Sequence, residues 1–264
     1  MWRTNPANRN AVTTASVILR ELRAVASPEK VAVLQRFFKT GSGEYGEGDR
    51  FIGVMVPQIR AIARVHRQTA DASAIRSLLD SPWHEARECG LLLLVEQFRS
   101  SPKDNRARHH RAYLTAVRKG RVNNWDLVDC SAPTLVGEYL LDASDTLQYG
   151  TPLLDTLAKS SSLWDNRVAV VSTLTFIRRG RLDAAFRQCA AALGHPHDLM
   201  HKAVGWMLRE CGKRDSDALR AFLAEHLSAL PRTSLRYAIE RFTPAERKQW
   251  LQRRAITPHE CAIW

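Results

Sequence analysis

From Val12 to Arg241 the apolar residues recur with a helical period, and no run alternates with the period of two that a half-buried strand requires. The helical segments read as Val12–Val25, Val31–Phe38, Pro57–His66, Ala72–Leu79, Ala86–Phe98, Arg108–Val117, Trp125–Leu141, Pro152–Leu157, Arg167–Ile177, Asp183–Ala192, Leu199–Cys211, Asp217–Ser228 and Ser234–Arg241. Helix breakers fall between them, among them Ser81-Pro82, Ser101-Pro102, Gly120, Gly180, Pro196, Pro231 and the longer stretch Thr40–Gly48. The chain is therefore expected to be all-α, with about a dozen helices and essentially no sheet.

Trp83, Trp125, Trp164 and His197 each follow a turn and open an apolar helix, at spacings of 42, 39 and 33 residues. Such steps suit two-helix repeats. The connectors Arg118-Lys119-Gly120-Arg121 and Arg178-Arg179-Gly180-Arg181 recur 60 positions apart, each closing a helix; glycine after a basic last turn is also ordinary helix-stop chemistry. An α-solenoid stacks repeats so that equivalent positions share one concave face, and here that face would be basic and suited to a rod-like ligand.

Charge points the same way. The 264 residues carry 39 Lys+Arg against 27 Asp+Glu, a net +12, and the commonest partner of so basic a surface is nucleic acid, the bland alternative being a solvated surface. The five cysteines include no CxxC pair and mostly sit in apolar helical patterns, which implies a reduced, cytoplasmic protein. No apolar stretch approaches the roughly 18 residues of a membrane span, so no membrane role is expected. Met1–Ser16 is polar with no apolar core of a secretory signal and reads as a loose end.

Few positions could carry chemistry. Trp125 and Asp129 lie four apart at the start of one helix, so a ring and a carboxylate point one way. Asp126 reads more simply as a complement to the helix N-terminus. Asp129, among Leu127, Val128, Cys130 and Ala132, is either functional or paired, since a lone carboxylate there would be costly. Arg167, one turn into an apolar helix, should meet a carboxylate or a phosphate. Trp206 stands in an apolar stripe and reads as core. His109-His110 belong to the basic run Lys103–Arg121, and His195, His197 and His201 lack metal-ligand spacing. No metal or cofactor is implied. The segment Gly41–Gly53 carries two Glu and an Asp, which suits a loop rather than a phosphate cradle.

Three ordered motifs nevertheless stand out. Asn124-Trp125-Asp126-Leu127-Val128-Asp129-Cys130-Ser131-Ala132-Pro133, Trp164-Asp165-Asn166-Arg167-Val168-Ala169 and Lys202-Ala203-Val204-Gly205-Trp206-Met207-Leu208-Arg209-Glu210 resemble the DNA alkylation repair family of AlkD-type, HEAT-like-repeat DNA glycosylases. Phe37–Gly41, Gly46–Val54 and Leu235–Glu240 add to the likeness, which runs from about residue 14 to 255. The resemblance implies one HEAT-like-repeat domain over residues 15–255, with residues 1–14 as a flexible N-terminus and 256–264 as a tail. It implies a DNA glycosylase of base excision repair that removes 3-methyladenine and 7-methylguanine from duplex DNA, needs no cofactor, and is monomeric and nucleoid-associated in the cytoplasm. The family's catalytic aspartate falls on Asp129, its two cleft tryptophans on Trp125 and Trp206, and its cleft arginine on Arg167. Lys119, Arg121, Arg178, Arg179, Lys202 and Arg209 are the expected phosphate contacts. A tyrosine used by some members has a counterpart only in Tyr45, where the local pattern differs. The alternative is a non-catalytic HEAT-like-repeat protein that binds unusual DNA structures, against which the retained Asp129 speaks.

The chemistry agrees with the resemblance. An N3- or N7-alkylated purine is already a cationic leaving group, so the barrier left is cation development on the sugar. A carboxylate at Asp129 suits that charge. Tryptophan faces suit a cationic nucleotide. No acid that could protonate a neutral leaving base is evident in the sequence, so substrates are expected to be limited to lesions bearing their own charge. Glycosylases usually flip their base into a pocket; the resemblance implies a lesion kept within the stack.

Overall fold

The computed structural model describes residues 12–143 and 152–253. Residues 1–11 of the loose end expected over Met1–Ser16, the tail over 256–264 and Cys261 lie outside the described residues; the end is shorter than expected, since Ala15 and Ser16 are already helical. Thr13, at the edge of that end, is held: its amide donates to the carbonyl of Thr69 at 2.9 Å and its hydroxyl to that of Thr69 at 2.7 Å. The described residues contain no strand, only isolated bridges at Thr13–Ala70 and Arg50–Trp83. The fold is thus an all-α array of helical repeats.

The chain forms two compact units that divide at Leu135 and Val136. In the first, α1 (Ala15–Ala24), α2 (Pro28–Phe37), α3 (Val56–His66), α4 (Ala72–Leu79), α6 (Arg106–Arg118) and α7 (Trp125–Ala132) accompany α5 (His84–Ser100). Helix α5 is buried on all sides from His84 to Val95, because its Leu91–Val95 run leaves no polar stripe to face water. It packs against α3, α4, α6 and α7. Helix α2 is the opposite case, with no buried residue and with Val33 and Phe37 exposed.

In the second unit the corresponding buried helix is α10 (Leu163–Arg178), enclosed from Asn166 to Ile177. It packs against α9 (Pro152–Ala158), α11 (Asp183–Ala191) and α12 (Asp198–Gly212), and α8 (Tyr139–Ala143), α13 (Ser216–His226), α14 (Arg232–Ala238) and α15 (Pro244–Gln252) complete the unit, α13 and α14 packing on α12. Helices α12 and α14 pack closely because residue 205 is glycine: a Cβ there would run into Ser234 and Tyr237.

Two departures from the periodic reading have physical causes. The expected single helix Trp125–Leu141 stops at Ala132, and Pro133–Glu138 winds as a π-helix before α8. Pro133 has no N–H to give to the ladder, and a widened turn accommodates it. Helix α15 lies beyond the expected segments, since its single buried residue, Trp250, gives no apolar period.

Candidate functional site

A cleft of about 500 Å³ opens in the first unit. Val33, Leu34 and Phe37 of α2 form one side, Phe38, Phe51, Val54 and Met55 of the α2–α3 segment another, and Arg60 of α3, Glu85 and Glu88 of α5, and Trp125, Asp126, Asp129 and Cys130 of α7 complete it. The wall is largely apolar and the polar groups are few, as in small-molecule sites.

Helix α7 starts where Asn124, extended in backbone, accepts the Trp125 amide at 2.9 Å on its side-chain oxygen. That start sets the half-buried Trp125 ring at the cleft, stacked on Phe38 with centroids 5.5 Å apart and meeting the edge of Phe37 at 5.9 Å. Asp129, one turn later and also half-buried, lines the same cleft. The structure thus brings the sequence-expected ring and carboxylate together. Asp126 does more than complement a helix end: its Oδ2 accepts from His84 Nε2 at 2.7 Å.

Behind the cleft lies a charge network that the sequence reading missed. His84, buried at the start of α5, donates Nδ1–H to Asp49 Oδ2 at 2.8 Å as well as Nε2–H to Asp126. Burial alone would lower its pKa, but the two carboxylates outweigh it and hold the ring as an imidazolium, with pKa raised to about 10. Arg87 binds the other Asp49 oxygen at 2.5 Å and Asn123 Oδ1 at 3.1 Å. Against the cost of burial, His84 and Arg87 keep the Asp49 carboxyl below its usual range. Glu85 accepts the consecutive amides of Ile52, Gly53 and Val54 on its carboxylate at 2.8–3.2 Å. Gly53 has φ +89, and a Cβ there would strike Ser27, so only glycine lets this loop dock. The Gly41–Gly53 segment is a loop, as expected, and its Asp49 is its anchor.

Glu88 completes the α5 run His84-Glu85-Ala86-Arg87-Glu88. It is 4 % exposed, lines the cleft and makes no hydrogen bond or ion pair with another described residue. Burial and the nearby Asp126 carboxylate push its pKa up to about 7, against the pull of His84 and Arg60. His84, Glu88 and Asp126 offer ligand atoms within 4.8 Å of one another. Both His84 nitrogens already donate to carboxylates, so the trio has no imidazole lone pair for a cation. The readable signal was four ionisable residues at the head of a helix that runs on into Leu91–Val95, an arrangement that demands pairing or a cavity.

The remaining expected residues are scattered in role. Arg167 is 4 % exposed and its Nη1 donates to the Leu199 carbonyl at 2.6 Å. Trp206 is half-buried rather than core. Lys119 and Arg121 both reach Asp80, at 3.4 and 3.7 Å. Lys202 pairs with Asp198 at 2.8 Å, and Arg209 with Glu240 and Glu210. Arg178 and Arg179 are exposed at the end of α10. Tyr45 is not among the residues lining the cleft. The ring nitrogens of His195 and His197 accept the amides of His197 and Leu199, so they cap the turn into α12. Burial pushes the thiols of Cys89 and Cys211 up to about 12, which makes them inert. No described helix is long and apolar enough to cross a membrane.

Comparison with known proteins fits this picture. No curated protein matches the chain. A solved structure described as a predicted DNA alkylation repair enzyme from Enterococcus faecalis has a similar fold, with a TM-score of 0.61 at 15% identity, covering 83% of this chain and 97% of that one. The profile of the family described as DNA alkylation repair enzyme matches residues 18–242, most of the chain, and the protein belongs to that family.

Proposed function

We propose that the protein is a DNA glycosylase that hydrolyses the N-glycosidic bond of cationic alkylated purines, 3-methyladenine and 7-methylguanine, in duplex DNA. The observation that carries this reading is the pairing of the Trp125 ring with the Asp129 carboxylate in an aromatic-walled cleft, in a member of the DNA alkylation repair enzyme family.

The cationic base leaves without help, so the task left to the protein is the positive charge that grows on the sugar as the C1′–N bond opens. Asp129 stabilises that charge and orients the attacking water. The electron-rich face of Trp125 attracts the cationic nucleotide, a contact worth about 0.5–2 kcal/mol. Trp206 presents its half-exposed indole to DNA in the same way. Arg178, Arg179, Lys119, Arg121, Lys202 and Arg209 contact phosphates and fix the register on the duplex. Arg167, being buried, positions the start of α12 through the Leu199 carbonyl before it reaches any phosphate.

The test is direct. Purified protein incubated with N-methylated duplex DNA should release 3-methyladenine and 7-methylguanine, identified by mass. Retained DNA binding with no released base would favour the non-catalytic alternative.

A further inference from the structure

Helices α4 and α6 both pack on α5, and between them lies a groove of about 810 Å³ that shares no residue with the cleft of Trp125 and Asp129. Its floor is apolar, with Ile75 and Leu79 of α4, Leu94 of α5 and the exposed Ala112 of α6. Its walls are basic, with Arg67 and Arg76 on one side and Arg108, Arg111 and Lys119 on the other. The single carboxylate of the lining, Asp71, is already engaged at the start of α4, where it accepts the Ala74 amide at 2.7 Å. The side chains of Arg76, Arg108 and Arg111 are exposed and make no hydrogen bond or ion pair with another described residue. His109 also lines the groove, 4 % exposed, with its Nδ1 buried and without a hydrogen bond. Burial, and then Arg108, lower its pKa, so its ring is neutral and the charge of the groove belongs to the walls.

Basic walls over an apolar floor suit an occupant that is anionic and apolar at once. Grooves that hold a single nucleic-acid strand add aromatic rings on which bases stack, and no Trp, Tyr or Phe lines this one. Four of its five cations are arginines, whose planar forks match carboxylates through two parallel hydrogen bonds. Shape narrows the choice further. From Arg108 to Lys119 the chain of α6 advances roughly 16 Å, and the groove volume spread over that length leaves a cross-section of roughly 50 Å², too narrow for a helix roughly 10 Å across. An extended chain fits, about five residues covering the length at ~3.3 Å each, with alternate side chains turned to the floor. We propose that the groove between α4 and α6 is a docking site for an extended acidic segment of a partner protein, in which apolar residues alternate with Asp or Glu. The apolar residues settle on Ile75, Leu79 and Ala112, and the carboxylates between them meet Arg76, Arg108 and Arg111 at the rims. The site is separate from the glycosylase reading and does not depend on it.

The experiment measures fluorescence anisotropy of a labelled seven-residue peptide of alternating Glu and Leu titrated with the full-length protein. Two control peptides carry Gln for every Glu or Ser for every Leu, and the competitor is a ten-nucleotide oligothymidylate. The Glu–Leu peptide should bind saturably, and each control should bind about tenfold more weakly or worse, because one lacks the charge and the other the apolar side chains. Arg76→Ala/Arg111→Ala should weaken the Glu–Leu peptide about tenfold. Ala112→Gln keeps every charge and fills the floor, and should weaken it by a similar factor. These three positions are exposed on their helices, so the variants keep the fold. No saturable binding of the Glu–Leu peptide up to about 1 mM would overturn the proposal. Equal binding of the Glu–Ser peptide, or wild-type affinity in Ala112→Gln, would reduce the groove to a diffuse positive surface and overturn it too. Oligothymidylate that displaces the peptide and itself loses affinity in Arg76→Ala/Arg111→Ala would assign the groove to nucleic acid instead.

Discussion

Helices α5 and α10 do the same structural work in their own units, yet their first turns are built from different chemistry. At the head of α5 stand His84, Glu85, Arg87 and Glu88, all buried; Asp49, three loop amides and Asp126 pair with the first three, while Glu88 lines the cleft. At the head of α10, Asn166 gives its side-chain amide to the carbonyls of Leu157, Ala158 and Ser160, and Arg167 gives Nη1 to the Leu199 carbonyl. The second arrangement closes backbone ends. The first gathers ionisable groups around a cleft. One repeat architecture thus closes backbone ends in one unit and gathers ionisable groups around the candidate site in the other.

The sharpest way to break this comparison is to remove one anchor from each helix. Asp49→Ala leaves His84 and Arg87 as buried, undercompensated cations and should cost about 3–5 kcal/mol in denaturant unfolding. Asn166→Ala loses neutral hydrogen bonds and should cost about 1–3 kcal/mol. Equal losses would mean that the α5 network is no more than helix capping. The pH dependence carries the same distinction. His84 has a folded pKa raised to about 10 from 6.5, so its stabilisation is fully present below about pH 6.5 and is lost as pH rises through about 10. Asp49, held low, contributes above its ordinary value and loses that contribution in acid. Glu88 works against the fold: raised to about 7 from 4.5, it binds more protons folded than unfolded, so stability falls as pH climbs between those values. Glu88→Gln should flatten that fall in melting curves taken across the interval.

Asp129→Asn tests the cleft directly. It keeps the shape and removes the charge, so single-turnover release of 7-methylguanine should slow by roughly 10²-fold or more with DNA affinity little changed. Near-normal excision by the folded variant would take Asp129 out of its role and leave the α5 network as architecture alone.

The parts of this molecule that could be read in its sequence are those set by neighbours along the chain. Helix α4 runs over Ala72–Leu79 as its apolar period gives it, and the spacing of Trp125 and Asp129 by four residues places both in the cleft. What escaped is set by distance. His84 finds Asp49 35 positions back and Asp126 42 positions ahead, and neither partner carries a local sign of it. The π-helical turn at Pro133 and the polar helix α15 escaped for a related reason, since backbone satisfaction and one buried Trp250 do not register in a pattern of apolar residues.

Between the two tryptophans the expected effects are smaller. Trp206→Ala removes a half-exposed π face and should slow excision roughly 2- to 30-fold, the range set by a cation–π contact of about 0.5–2 kcal/mol. Trp125 also packs on Phe37 and Phe38, so Trp125→Phe is the safer probe, and it should keep part of the packing while giving up the stronger indole field. A Trp206→Ala protein with wild-type rates would confine the chemistry to the first unit.

The smallest effects concern the two recurrent connectors. Arg178 and Arg179 are exposed with no ion pair to another described residue, whereas Lys119 and Arg121 share the half-exposed carboxylate of Asp80. If both connectors meet phosphates, DNA must take Lys119 and Arg121 away from Asp80, but it takes Arg178 and Arg179 from water alone. A surface pair of this kind is worth only about 0–1 kcal/mol, so the competition is weak but measurable. Replacing Arg178 and Arg179 with alanine should lower the slope of log K against log salt by about 0.9 for each phosphate that is no longer neutralised. Asp80→Asn should instead strengthen duplex binding by up to about fivefold at low salt, alike for all sequences, because nothing then competes for the first connector. Binding unchanged by Asp80→Asn, together with an unchanged slope in the Lys119→Ala/Arg121→Ala protein, would remove the first connector from the DNA interface and leave phosphate binding to the second.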